Sequence, residues 1–115
     1  MGSRKRWVKA FEWYEKSAKQ GNSDAQNCLG LFYEYGGIRI KKDLEKAYYL
    51  YQKSAENGSK HALFNLGLCY QYGRSVEKDN VKAFECMKNL PNKTRIYKCT
   101  KETCINANWK VIKKD

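Results

Sequence analysis

The sequence predicts an all-α protein built from stacked helix pairs, and three observations carry that prediction. Residues 10–36 match residues 47–73 at 13 of 27 positions, a period of 37 residues, where chance at ordinary composition gives roughly two. A single proline, Pro91, occurs in 115 residues, and proline costs about 3 kcal/mol inside a helix. Apolar residues within each copy recur at helical spacing, as an amphipathic helix requires. This length allows one small domain with one core and leaves little room for an enzyme with separate substrate and cofactor lobes.

Along the chain, residues 1–9 form a basic segment with Arg4, Lys5, Arg6 and Lys9 and no acid. The repeats occupy residues 10–90, as a half repeat over 10–21 and full repeats over 22–58 and 59–90. In the half repeat Ala10, Tyr14, Lys16, Ser17, Ala18 and Gly21 reappear as Ala47, Tyr51, Lys53, Ser54, Ala55 and Gly58, so this piece is the second helix of a pair, helix B. Helix A follows over about Asp24–Tyr35, with Ala25, Leu29 and Phe32/Tyr33 on one face toward the core. Gly36 ends it, and the loop from Gly37 to Lys42 is one residue longer than its counterpart in the next copy. Helix B returns over about Asp43–Asn57, with Asp43 as N-cap and Gly58 as the left-handed residue after its end. The second helix A runs over about Lys60–Tyr72 to Gly73, and the second helix B starts at the N-cap Asp79. Gly30 and Gly67 fall in the middle of the two A helices, where glycine costs about 1 kcal/mol relative to alanine. Their recurrence predicts a close helix contact, so that Gly67→Leu harms folding more than Ser75→Leu. Beyond Pro91 the pattern stops, and residues 91–115 read as a capping helix, a hairpin around Trp109 and Val111 or, preferred among these, a disordered basic tail.

The pattern Ala25…Leu29-Gly30…Tyr33…Gly36…Asp43…Lys46-Ala47…Tyr51…Ala55…Gly58, repeated as Ala62…Leu66-Gly67…Tyr70…Gly73…Asp79…Lys82-Ala83, resembles the Sel-one-like repeat family, a relative of the tetratricopeptide repeat. The resemblance implies a right-handed α-α superhelix whose A helices line a concave, partner-binding side. It implies a protein-interaction module or adaptor rather than an enzyme, with no cofactor. Arrays of this kind in eukaryotic signalling proteins often sit beside kinase-like domains, and some secreted bacterial relatives carry a cysteine pair in every unit and are associated with β-lactam hydrolysis. The cysteines here break that register, since Cys28 aligns with Asn65, Cys69 with Phe32, and Cys86 with Leu50 and Trp13.

Charge and cysteine content narrow the remaining classes. The net charge of +11 is concentrated at the ends, +4 in residues 1–9 and +5 in residues 91–115, with only +2 between. A nucleic-acid or acidic-surface binder acting through the termini is the alternative to the adaptor, but Trp7, Tyr97 and Trp109 offer few stacking platforms, so binding there is expected to lack sequence specificity. The longest apolar run is the five residues Ala47–Tyr51, far short of a membrane span, and the N-terminus lacks an export signal. A cytoplasmic chain with free thiols follows, because five cysteines cannot all pair internally. Cys69 and Cys86 read as core fillers. With His61 the lone histidine, neither zinc-ligand spacing nor a nucleophile and base can be assembled, so no metal and no catalytic residue is expected.

Recognition is the remaining chemistry. Off the core stripe of the A helices lie Asp24, Asn27, Leu31 and Glu34 in the first unit and His61, Phe64, Leu68 and Gln71 in the second. Three of these four pairs differ between copies while the packing positions do not, the pattern of a shared scaffold with individual binding chemistry; a solvated face is the plainer reading. Phe64, Leu68 and Leu31 would hold a peptide or partner helix, with polar selection by Asn27, Glu34 and Gln71. A second expectation concerns the first helix B, which has no helix A before it, so that Trp7, Phe11 and Tyr14 should form an open edge suited to self-association or continuation of the array.

Overall fold

The computed structural model describes residues 2–37, 40–88 and 90, with side chains described from residue 8 onward. Five helices follow one another: α1 (Gly2–Lys19), α2 (Ser23–Tyr35), α3 (Leu44–Glu56), α4 (Lys60–Tyr72) and α5 (Asn80–Met87). Each packs on the next, α1 on α2, α2 on α3, α3 on α4 and α4 on α5, and no strand occurs among the described residues. This is the expected all-α solenoid, with α2 and α4 as A helices and α1, α3 and α5 as B helices. The expectations for residues 91–115, including Cys99 and Cys104, lie outside the described residues, as do those for the Trp7 side chain and for Ile38 and Arg39 in the loop.

Local chemistry sets the helix ends. Asp43 Oδ1 accepts from the Lys46 amide at 3.1 Å, and Asp79 Oδ1 accepts from the amides of Val81 and Lys82 at 3.0 and 3.1 Å, the two caps expected from sequence. The A helices are capped by a matching pair, Asn22 and Ser59, which accept from Ala25 and Ala62 at 3.0 and 3.2 Å. Each such cap contributes about 1 kcal/mol by satisfying an otherwise orphaned N–H. After the B helices the chain turns through Gly21 (φ 90°) and Gly58 (φ 97°), a conformation that a Cβ would strain. Ser75 adopts φ 66° without being glycine, so the loop position expected to accept Leu freely is itself conformationally constrained.

Repeat-matched residues build the core. Ala10, Tyr14, Ala25, Leu29, Phe32, Ala47 and Tyr51 are buried together, joined by Leu31, Ile40, Leu66 and Cys69. Ser54, fully buried, donates to the Ser23 carbonyl at 2.6 Å and so fastens α3 to the start of α2. The two mid-helix glycines sit where the following B helix presses hardest. A Cβ on Gly30 would lie 2.7 Å from the Tyr51 ring and 3.3 Å from the Ala47 carbonyl, and one on Gly67 would lie 2.6 Å from Met87 Cε. Such distances leave no room for a methyl group unless the neighbour moves.

Two expectations fail. Phe11 and Tyr14 do not form an open edge: Tyr14 is buried, and the Phe11 ring lies 5.8 Å from both Phe32 and Tyr33 in edge-to-face contact. With no A helix before it, α1 spends these residues on α2, the A helix that follows. Among the described residues the most exposed large hydrophobic side chains are at the other end, Val81 (71% exposed) and Phe84 (67%) of α5. The second failure concerns the thiols: Cys69 and Cys86 are free as expected, but Cys28 is disulfide-bonded. An odd cysteine count forbids complete pairing but does not forbid a bridge.

Candidate functional site

The A-helix positions expected to meet a partner divide into two sets. Asp24, at the first turn of α2, and Gln71, near the end of α4, are exposed, and His61 and Leu68 of α4 are half-buried. Asn27, Leu31, Glu34 and Phe64 are buried, Leu31 to within 1% of full enclosure, and cannot serve as freely accessible contacts. The spacing rule that placed them off the core stripe fails because a helix in a stacked array is covered on more than one side, which widens its buried face beyond a single stripe.

The buried polar residues among them are already engaged. Asn65 Nδ2 donates to Asn27 Oδ1 at 2.8 Å, an amide pair that joins the two A helices. Tyr51 donates from its hydroxyl to Glu34 Oε1 at 2.5 Å, and Arg74 Nη1 donates to Glu34 Oε2 at 2.6 Å. One carboxylate thus ties α2 to α3 and to the turn after α4. Burial, and then the Glu34 charge, push the Tyr51 hydroxyl well above its ordinary range, so it stays protonated and donates. Residues missed by sequence reasoning are therefore Tyr51, Asn65 and Arg74. A signal for the first was present: where Glu34 becomes Gln71 in the next unit, Tyr51 becomes Met87, so the charge and its hydroxyl partner disappear together.

What remains on the A side is a short surface on α4. His61, Leu68 and Tyr72 follow at seven- and four-residue spacing and share one helix face, with Gln71 beside them. Tyr72 is 62% exposed, and the Arg74 guanidinium lies 5.4 Å from its ring centroid. Tyr35, its repeat counterpart, is also exposed.

The B side differs. Between α1 and α3, with α2 as floor, lies a cleft of about 530 Å³ whose lining includes Leu29, Tyr33, Leu50 and three lysines. Lys46 Nζ stands 5.0 Å from the Tyr33 ring centroid, and one unit later Lys82 Nζ stands 5.5 Å from that of Tyr70. Tyr70 also exchanges a hydroxyl contact of 2.9 Å with Tyr48. Among the described residues, no group of three or more His, Cys, Asp or Glu side chains could hold a metal ion. No helix among them is long and apolar enough to cross a membrane.

Helix pairs in register, capped alike and interlocked at repeated glycines, define a helical-repeat scaffold. The Sel1 repeat matches residues 8–22, 23–59 and 60–89, and the chain belongs to that family. Its fold is similar to a Sel1 repeat protein from Oxalobacter formigenes, with a TM-score of 0.61 and 34% identity over 66% of this chain and 31% of that one. It is also similar to a protective antigen present in uropathogenic Escherichia coli strains that displays an SLR fold, with a TM-score of 0.68 and 30% identity over 90% of this chain and 21% of that one. The chain thus spans less than a third of the length of either relative. The sequence matches no curated protein. Sel1 repeats are in general a non-enzymatic scaffold for protein–protein interaction.

Proposed function

We propose that the chain is an adaptor that holds a protein or peptide partner on the A side, through the α4 face formed by His61, Leu68, Gln71 and Tyr72, with Asp24 at its margin. The observation that carries this reading is the exposed Tyr72 beside the half-buried Leu68 on one helix face. Aromatic side chains with an apolar neighbour are the residues on which interface energy concentrates. The buried Asn27, Leu31, Glu34 and Phe64 support that face from beneath instead of touching the partner. Service within a signalling protein that also carries a kinase-like domain is a finer proposal and rests on the resemblance alone.

The test is co-purification of partners from native extract on the immobilised full chain, with Tyr72→Ala and Leu68→Ser compared against wild type. A partner retained by wild type and lost from both variants, with helicity unchanged by circular dichroism, is the expected result. A partner that both variants retain removes the α4 face, and the absence of any reproducible partner removes the adaptor reading.

A further inference from the structure

We infer that the cleft between α1 and α3 is a second docking surface, built for an acidic amphipathic helix of a protein partner. The inference rests on the protein-interaction reading but not on the α4 face, which lies on other residues. Three observations point to the occupant. The cleft floor is apolar, formed by Leu29 and Tyr33 of α2 with Leu50 of α3. Its end is fixed by Gln26, which accepts from Asn57 at 3.0 Å and donates to the Ala18 carbonyl at 3.2 Å, so the groove is held open by hydrogen-bonded structure. Its rim carries Lys19, Lys46 and Lys53, all exposed, against the single acid Glu15.

The spacing on α3 selects a helix as the ligand. Lys46 and Lys53 are seven residues apart, two turns or about 10 Å along the axis. Tyr49 and Leu50 lie between them on the same side and also line the cleft. A helix laid alongside α3 meets this stripe in register when it carries acids at i and i+7 and apolar residues at i+3 and i+4, the mode in which a groove receives an amphipathic helix. An extended strand would point residues of matching separation to opposite sides.

The next groove along the array shows that this chemistry is not a general property of the fold. That groove, about 260 Å³, is lined by Glu77 and Asp79 against Lys78 and Lys82, so its charges balance. The counterparts of Tyr49, Leu50 and Lys53 are Glu85, Cys86 and Asn89, so the stripe is not repeated. Of these two grooves, the first carries the excess of lysines that complements an acidic helix.

The test uses the full chain and a fluorescein-labelled, alanine-based 18-residue peptide carrying two copies of Glu-Ala-Ala-Leu-Leu-Ala-Ala-Glu. A scrambled peptide of the same composition is the control, and binding is read by anisotropy at physiological salt. Lys46→Glu with Lys53→Glu should weaken the patterned peptide at least tenfold. Lys41→Glu with Lys60→Glu, the same change of net charge at exposed residues outside the cleft, should leave it within twofold. Lys53→Glu alone, at an exposed position, gives an intermediate loss and guards against a double variant that fails to fold. Equal weakening by both double variants, equal binding of the scrambled peptide, or no binding to wild type overturns the proposal. None of these results bears on the Tyr72 and Leu68 variants, so the two surfaces fail independently.

Discussion

Replacing each mid-helix glycine by alanine should give opposite results at two positions that the sequence makes equivalent. A helical Gly→Ala change gains about 1 kcal/mol from propensity, and forcing a methyl group into a packed contact costs about 1–3 kcal/mol. The sign depends on whether the neighbour can give way. At Gly30 the new Cβ would meet Tyr51 Cε1 at 2.7 Å, Cδ1 at 2.9 Å and the Ala47 carbonyl at 3.3 Å. The Tyr51 ring is wholly enclosed and its hydroxyl is tied to Glu34, so it cannot rotate aside without breaking that bond. At Gly67 the obstacles are Met87 Cε at 2.6 Å and Cγ at 2.9 Å, on a half-buried and unbranched side chain, which can adopt another rotamer at small cost. Gly30→Ala is therefore expected to destabilise by about 1 kcal/mol net, lowering Tm by about 4–8 °C in a domain of this size. Gly67→Ala should be neutral or should stabilise by up to about 1 kcal/mol. Thermal and urea unfolding followed by circular dichroism decide it. A Tm rise for Gly30→Ala, or equal losses in the two variants, would refute the argument that the rigidity of the facing side chain sets the cost.

Three further outcomes follow from the same contacts. Glu34→Gln and Arg74→Gln should each lose about 1–2 kcal/mol, a charge-assisted hydrogen bond with one half-exposed partner; in a double-mutant cycle the pair should lose less than the sum, and simple additivity would deny the coupling. Burial and the Tyr70 hydroxyl push Tyr48 up from 10.0 to about 12, and burial pushes Cys69 up from 9.0 to about 12. The unfolded chain therefore releases these protons first as pH rises, so the stability they contribute is present below pH 9 and is lost between about pH 9 and 12; Tyr48→Phe should flatten that fall in urea titrations, and an unchanged slope would count against it. With Cys28 in a disulfide, the denatured chain should show fewer than five titratable thiols before reduction and five after, whereas five before reduction would mean that the bridge does not form.

The array was legible in the sequence because its scaffold is written twice. Ala10 with Ala47, Tyr14 with Tyr51 and Gly30 with Gly67 mark contacts that every unit must make, and the caps Asp43 and Asp79 follow from the chemistry of an orphaned N–H. The candidate site was less legible for the same reason. Repetition identifies what units share, but difference between units does not mark surface: Glu34 and Asn27 differ from Gln71 and Phe64 while lying inside. Their partners Arg74 and Asn65 come from the following unit, 40 and 38 residues away, and a one-dimensional periodicity does not specify such cross-unit pairs. The open end was misplaced on a related ground: helical spacing gives the apolar face of α1, but not which of two neighbours that face serves.

The unequal interlocks at Gly30 and Gly67 also give the molecule a direction in time. In an array where each element touches only its neighbours, local opening proceeds from whichever seam is loosest. The first seam is closed by a rigid aromatic ring anchored at its far end by a carboxylate, the second by a thioether with no such anchor on a helix of eight residues. Amide protons of α5 should therefore exchange with solvent before those of α4, and those of α2 and α3 last. A partner gripping α4 would sit beside the looser seam, and its residence time would be set in part by how often that seam opens.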